Sequence, residues 1–107
     1  MGLLDMLRVS NSNSYLIKVH NMEGTGEDEP PAGKRSWKAW WKDKREQTFG
    51  KCSRWDCDEA AKDGAHVQIH NGDKTAYVVP LCHNCNIGIH PTVYFSVKKK
   101  DLERIDQ

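Results

Sequence analysis

Apolar positions fall in short groups along this chain, and their spacing predicts one amphipathic helix and several short strands. Tyr15 to His20 is rich in residues that favour a pleated backbone and reads as a short strand. From Ser36 to Phe49 the period changes. Trp37, Trp40 and Trp41 fall at i, i+3 and i+4 on one helical face, Ser36 can cap the first turn, and Gly50 supplies a stop. Ala65–His70 and Thr75–Leu81 are expected as strands of a hairpin, because the intervening Asn71-Gly72 pair tolerates positive φ. Thr92–Val97 reads as a further strand, and Asp58–Asp63 as a single helical turn ended by Gly64. Cys82–Asn86 opens a short helix limited by Gly88 and Pro91. At the two ends, Leu3, Leu4 and Leu7 suggest a short helix within residues 1–10, while Asp101–Gln107 is either a terminal helical turn or a frayed tail.

Between these elements, Asn21–Arg35 combines Gly24, Gly26, Pro30, Pro31 and Gly33 with the acidic Glu23, Glu27, Asp28 and Glu29. It has no periodic apolar face and reads as a flexible linker. The expected organisation is an N-terminal helix and strand over residues 1–20 packing on the core, a linker over 21–35, and a main unit over 36–107. Helices and antiparallel strands in this order give a single α+β domain.

A core for that domain is hard to find among the apolar residues alone. The 107-residue chain is 37% hydrophobic and 29% charged, with a mean hydropathy of −0.78. Small domains this polar generally need a staple. Cys52 and Cys57 are separated by four residues, Cys82 and Cys85 by two, and the predicted hairpin lies between the pairs. A tight turn presents two thiolates from one side, and two such turns complete a tetrahedron, the arrangement that zinc prefers. Two disulfides are the alternative. They belong mainly to oxidising compartments, and Met1 to Ser10 lacks the basic start, continuous apolar run and cleavage site of a secretory signal. The expectation is therefore a structural Zn²⁺ held by Cys52, Cys57, Cys82 and Cys85 in a cytoplasmic protein. His70, His83 and His90 stand nearby in sequence, but four cysteines already close a structural site.

Charge adds a candidate partner. The net charge is only +1, yet Lys34 to Arg54 holds eight basic residues against Asp43 and Glu46. Such asymmetry suggests an anionic partner. The candidate nucleic-acid contacts are Lys34, Arg35, Lys38, Lys42 and Arg45, with Lys98, Lys99 and Lys100 as a second basic run. The three tryptophans of the helix are expected in the core; exposed, they would form a platform on which bases stack. No apolar run approaches the roughly 18 residues needed to cross a bilayer.

Gly64-Ala65-His66-Val67, followed by Tyr77-Val78-Val79-Pro80-Leu81-Cys82-His83-Asn84-Cys85-Asn86, resembles the ββα-metal core of zinc-stapled HNH endonucleases, a treble-clef variant, and also short HNH-like proteins of bacteria and phages. The resemblance covers Lys51 to about His90. It implies a hairpin and short helix held by the zinc, with His66 matching the histidine that activates water. Asn86 matches the last ligand of a catalytic divalent ion, so His66, His70 and Asn86 become candidates for a second metal, Mg²⁺ or Mn²⁺. Two positions depart from the pattern: Ala65 replaces the acidic metal ligand and Tyr77 the orienting asparagine. A methyl group cannot ligate Mg²⁺. The resemblance thus favours a module that binds nucleic acid, or a protein that processes it, without robust catalysis. A divalent-metal-dependent endonuclease using His66 is the alternative.

Overall fold

Side chains alternate along antiparallel strands, and here the alternation gives one sheet two dissimilar faces. The computed structural model describes residues 15–22, 36–70, 72 and 74–105. In chain order these form β1 (Leu16–Asn21), α1 (Trp37–Arg45), β2 (Asp63–Ile69), β3 (Ala76–Leu81), α2 (His83–Ile87), β4 (Tyr94–Lys98), a 3₁₀ turn (Lys99–Asp101) and β5 (Glu103–Arg104). The fold is α+β, with five strands in the order β4-β1-β2-β3-β5, each neighbouring pair antiparallel. Among the described residues no helix is long and apolar enough to cross a membrane.

On one face, Ile17, Val19, Ala65, Val67, Val79, Leu81, Phe95 and Val97 meet Cys52, Cys82 and Cys85 in a continuous core. On the other, α1 lays Trp40 and Trp41 over Val78, with Phe49 and Ala61 completing a second cluster. The tryptophan stripe is therefore core, as its spacing suggests. α1 rides directly on Gly64, where an added Cβ would come within 2.7 Å of the Trp37 and Lys38 backbone.

The hairpin forms as expected, pairing Asp63 with Leu81 through to Gln68 with Ala76, and Gly72 takes the positive φ of 86°. Ser36 caps α1, its Oγ accepting from the Ala39 N–H at 3.1 Å. Elsewhere the chain departs from the sequence reading. α1 ends at Arg45 with Glu46 in the left-handed region, not at Gly50. The early stop lets Phe49 turn back onto Trp41, ring centroids 5.3 Å apart; a continued helix would carry it about 12 Å along the axis.

Asp58–Asp63 is not a helical turn. Ala60 bridges Lys51, and the N–H groups of Cys52 and Ala61 donate to Glu59 and Gly50 carbonyls at 2.8 and 2.9 Å. Partners across the loop satisfy backbone groups that one isolated turn would leave open. Within Asp101–Gln107, where a helical turn or a frayed tail is expected, Glu103 and Arg104 instead form a short strand, because β3 has a free edge and β5 fills it, pairing Tyr77 with Arg104 and Val78 with Glu103; the last two residues fall outside the described ones.

β1 lies between two strands and is not peripheral, and it runs one residue into the expected linker, through Asn21. The expected N-terminal helix and the remainder of the linker, from Glu23, fall outside the described residues.

Candidate metal centre and the neighbouring cavity

Each cysteine pair sits on a separate backbone reversal. In the first, the Cys57 N–H donates to the Arg54 carbonyl at 3.1 Å, while Ser53 and Trp55 N–H groups anchor the loop to Pro80 and Ser96 carbonyls. In the second, Cys82 caps α2, its Sγ accepting from the Cys85 N–H at 3.4 Å, and the Asn86 N–H closes the turn on the Cys82 carbonyl at 3.0 Å. The end of β3 delivers the second reversal against the first. All four Sγ atoms lie within 4.8 Å of one another, and all four are free thiols. No disulfide joins them, and the convergence of all four on one point favours a shared ion over two separate cystines. The Cys57–Cys82 sulfur separation is 3.8 Å; a tetrahedron with metal–sulfur bonds of about 2.3 Å has edges of about 3.8 Å. The cluster can hold a metal ion.

Electrostatics fit the same purpose. Burial pushes the Cys85 thiol well above its ordinary range, with the Cys82 side chain adding to the rise. Burial also raises Cys52. At Cys82 burial is outweighed by hydrogen bonds from the Cys85 backbone and the surrounding thiols, and its value falls. Four thiols this close ionise together only when a cation balances them.

Asn21 is the residue that sequence reasoning missed. Its amide NH₂ donates to the carbonyls of Cys85, Asn86 and Ile89 at 3.0, 3.0 and 3.1 Å, tying β1 to the second cysteine reversal. A signal for it exists. Asn21 shares the inward parity of Ile17 and Val19, and an amide placed on a buried face must find partners there. Asp63 is a second omission: its Oδ2 lies 2.9 Å from His83 Nδ1 and accepts from Asn86 Nδ2 at 3.0 Å. Buried Ser53, beside Cys52, donates to Asp101 at 2.8 Å, and the Asp101 carbonyl accepts from the Trp41 indole at 2.9 Å. One short segment thus connects the cysteine loop to the tryptophan cluster.

Beside the metal cluster, a cavity of about 360 Å³ opens past the end of β1, lined by Asn21, Trp37, Gly64, His66, Asn86 and Ile89 among others. His66 and Asn86 therefore border one cavity. His66 is buried, with Trp37 edge-on at 4.6 Å. His70 does not join them: it lies past the far end of β2, its ring centroid 3.9 Å from that of Tyr94. Among the described residues, the four cysteines are the one group of three or more His, Cys, Asp or Glu side chains placed to share an ion.

Of the basic candidates, Lys38 and Arg45 lie over the rings of Phe49 and Trp41, 5.3 and 5.0 Å from the centroids, while Lys42 is exposed. Arg45 also holds the Lys99–Asp101 turn, donating to the Lys100 and Leu102 carbonyls and to Glu103. It brings the end of α1 beside exposed Lys99 and Lys100, so two runs distant in sequence share one end of the molecule. Lys98 is half-buried at the end of β4, and Lys34 and Arg35 lie outside the described residues. Compared with family models, curated proteins and solved structures, the chain matches none.

Proposed function

We propose that this protein is a zinc-stapled, HNH-like module that binds nucleic acid, its zinc being structural. The observation that carries the reading is the closed set of four clustered sulfurs, two on the loop before the hairpin and two at the start of α2. Four thiolates leave a tetrahedral zinc no open position for chemistry. The Lys99–Lys100 turn, held against the end of α1 by Arg45, supports an anionic partner. Metal analysis of the purified protein is expected to give one zinc per chain, and affinity for a nucleic acid to fall as salt rises. Absence of binding at low salt, or a flat salt dependence, would count against the nucleic-acid role.

A second reading, a divalent-metal-dependent endonuclease, is favoured by the cavity that His66 and Asn86 share. Asp63, two residues before Ala65 on β2, supplies a carboxylate that accepts from Asn86. A Mg²⁺ or Mn²⁺ held there by Asn86 would stabilise charge on a scissile phosphate, and His66 would accept a proton from water. Plasmid nicking with either ion separates the readings: equal rates for the wild type and His66→Ala rule out His66 as the base.

A further inference from the structure

The half of the sheet that α1 leaves uncovered has its own chemistry. α1 packs on β2 and β3, so among the described residues no helix lies over the same face of β4, β1 and the far end of β2. Register places the side chains of that face in rows: Tyr94, His20 and Gln68 across one, Ser96, Lys18 and His70 across the next, then Lys98 and Leu16. None of these eight is acidic. Lys18 and His70 are exposed, and Tyr94 is 47% exposed. Their rings are already assembled: His20 stands edge-on to Tyr94 at 5.4 Å, His70 lies tilted against it at 3.9 Å, and His20 Nε2 is 3.2 Å from Gln68 Oε1.

An aromatic ring preset on a rigid sheet, flanked by lysines and with no acidic side chain among the eight described residues of the face, suits a strand whose bases are unpaired. Bases stack on exposed rings while phosphates meet the flanking cations, and sequence matters little because every base has a π-face. Duplex nucleic acid keeps its bases stacked on one another and cannot use such a platform. We infer that the open half-sheet centred on Tyr94 is a single-stranded nucleic-acid site. This rests on the nucleic-acid reading above and gives it a location different from the basic end near Lys99 and Lys100.

Fluorescence anisotropy with labelled oligo(dT) and oligo(U), at low salt and against a duplex competitor, tests the inference on the full zinc-loaded chain. Tyr94→Ala is expected to weaken binding about 5- to 150-fold, the loss of one stacked base, and Tyr94→Phe to retain it. Lys18→Glu is expected to lower affinity and the salt slope by about one phosphate contact or more. A preference for either oligomer identifies the natural strand as DNA or RNA, and weak competition by duplex supports the site. If both Tyr94→Ala and Lys18→Glu bind as the wild type while Lys99→Glu does not, the half-sheet is not the site and the broader reading stands. If no oligomer or duplex binds, both fall.

Discussion

The two faces of the sheet are held by different physics. Around the cysteines, the core includes thiols, and the buried groups beside it include Asn21, bonded to the backbone of the second cysteine reversal, and Ser53, bonded to Asp101. Under α1 the core is Trp40, Trp41, Phe49, Ala61 and Val78, apolar bulk that needs no ion. A small polar chain can divide the work of folding in this way. Aromatic burial stabilises one side by area removed from water, and on the other an ion bound to the four sulfurs would add its binding energy to the aliphatic packing of β1 to β4.

Removing the metal is the strongest way to separate the halves. A chelator, or Cys82→Ser, is expected to unfold the hairpin and α2, because structural zinc contributes on the order of 10 kcal/mol in small domains. Near-ultraviolet circular dichroism checks this, and an unchanged native spectrum after complete removal would break the comparison. Acid is expected to act like the chelator, since protons compete for the four sulfurs.

Trp41→Ala attacks the other side. Trp41 is 2% exposed, so truncation is expected to cost about 3–5 kcal/mol in chemical denaturation while metal analysis still finds one ion per chain. Loss of the ion in that variant would show the halves to be a single cooperative unit, joined through Ser53 and Asp101. Asn21→Ala is next, at about 1–3 kcal/mol, with easier extraction of the metal in a chelator titration; an unchanged titration would separate Asn21 from the site. The smallest effect is expected for Trp55→Ala. Trp55 lies between two ligands yet is 61% exposed, and the change should stay under about 0.5 kcal/mol.

These contrasts also mark what could be read from sequence. The cysteine spacing and the Trp37, Trp40, Trp41 stripe are local signals, governed by the reach of a turn and the period of a helix, and both were legible. So was the hairpin, through Asn71-Gly72. The end of α1 was not, because it depends on Phe49 returning to Trp41, and neither was the non-helical course of Asp58–Asp63, which takes its backbone partners from Gly50 to Cys52 and from Leu81. β5 exists because β3 has an edge to fill, and Asn21 matters because of carbonyls more than 60 residues away. Pairings of that kind leave no periodicity in the segment that makes them.

The insertion of β1 between β2 and β4 has a kinetic consequence. Val19 waits for Ile69 and Leu16 for Lys98, separations of 50 and 82 residues. At a synthesis rate of about 5–20 residues per second, the first strand leaves the ribosome several seconds before its outer neighbour exists. Closing the sheet is therefore a late event, gated by long loop closures that slow such topologies.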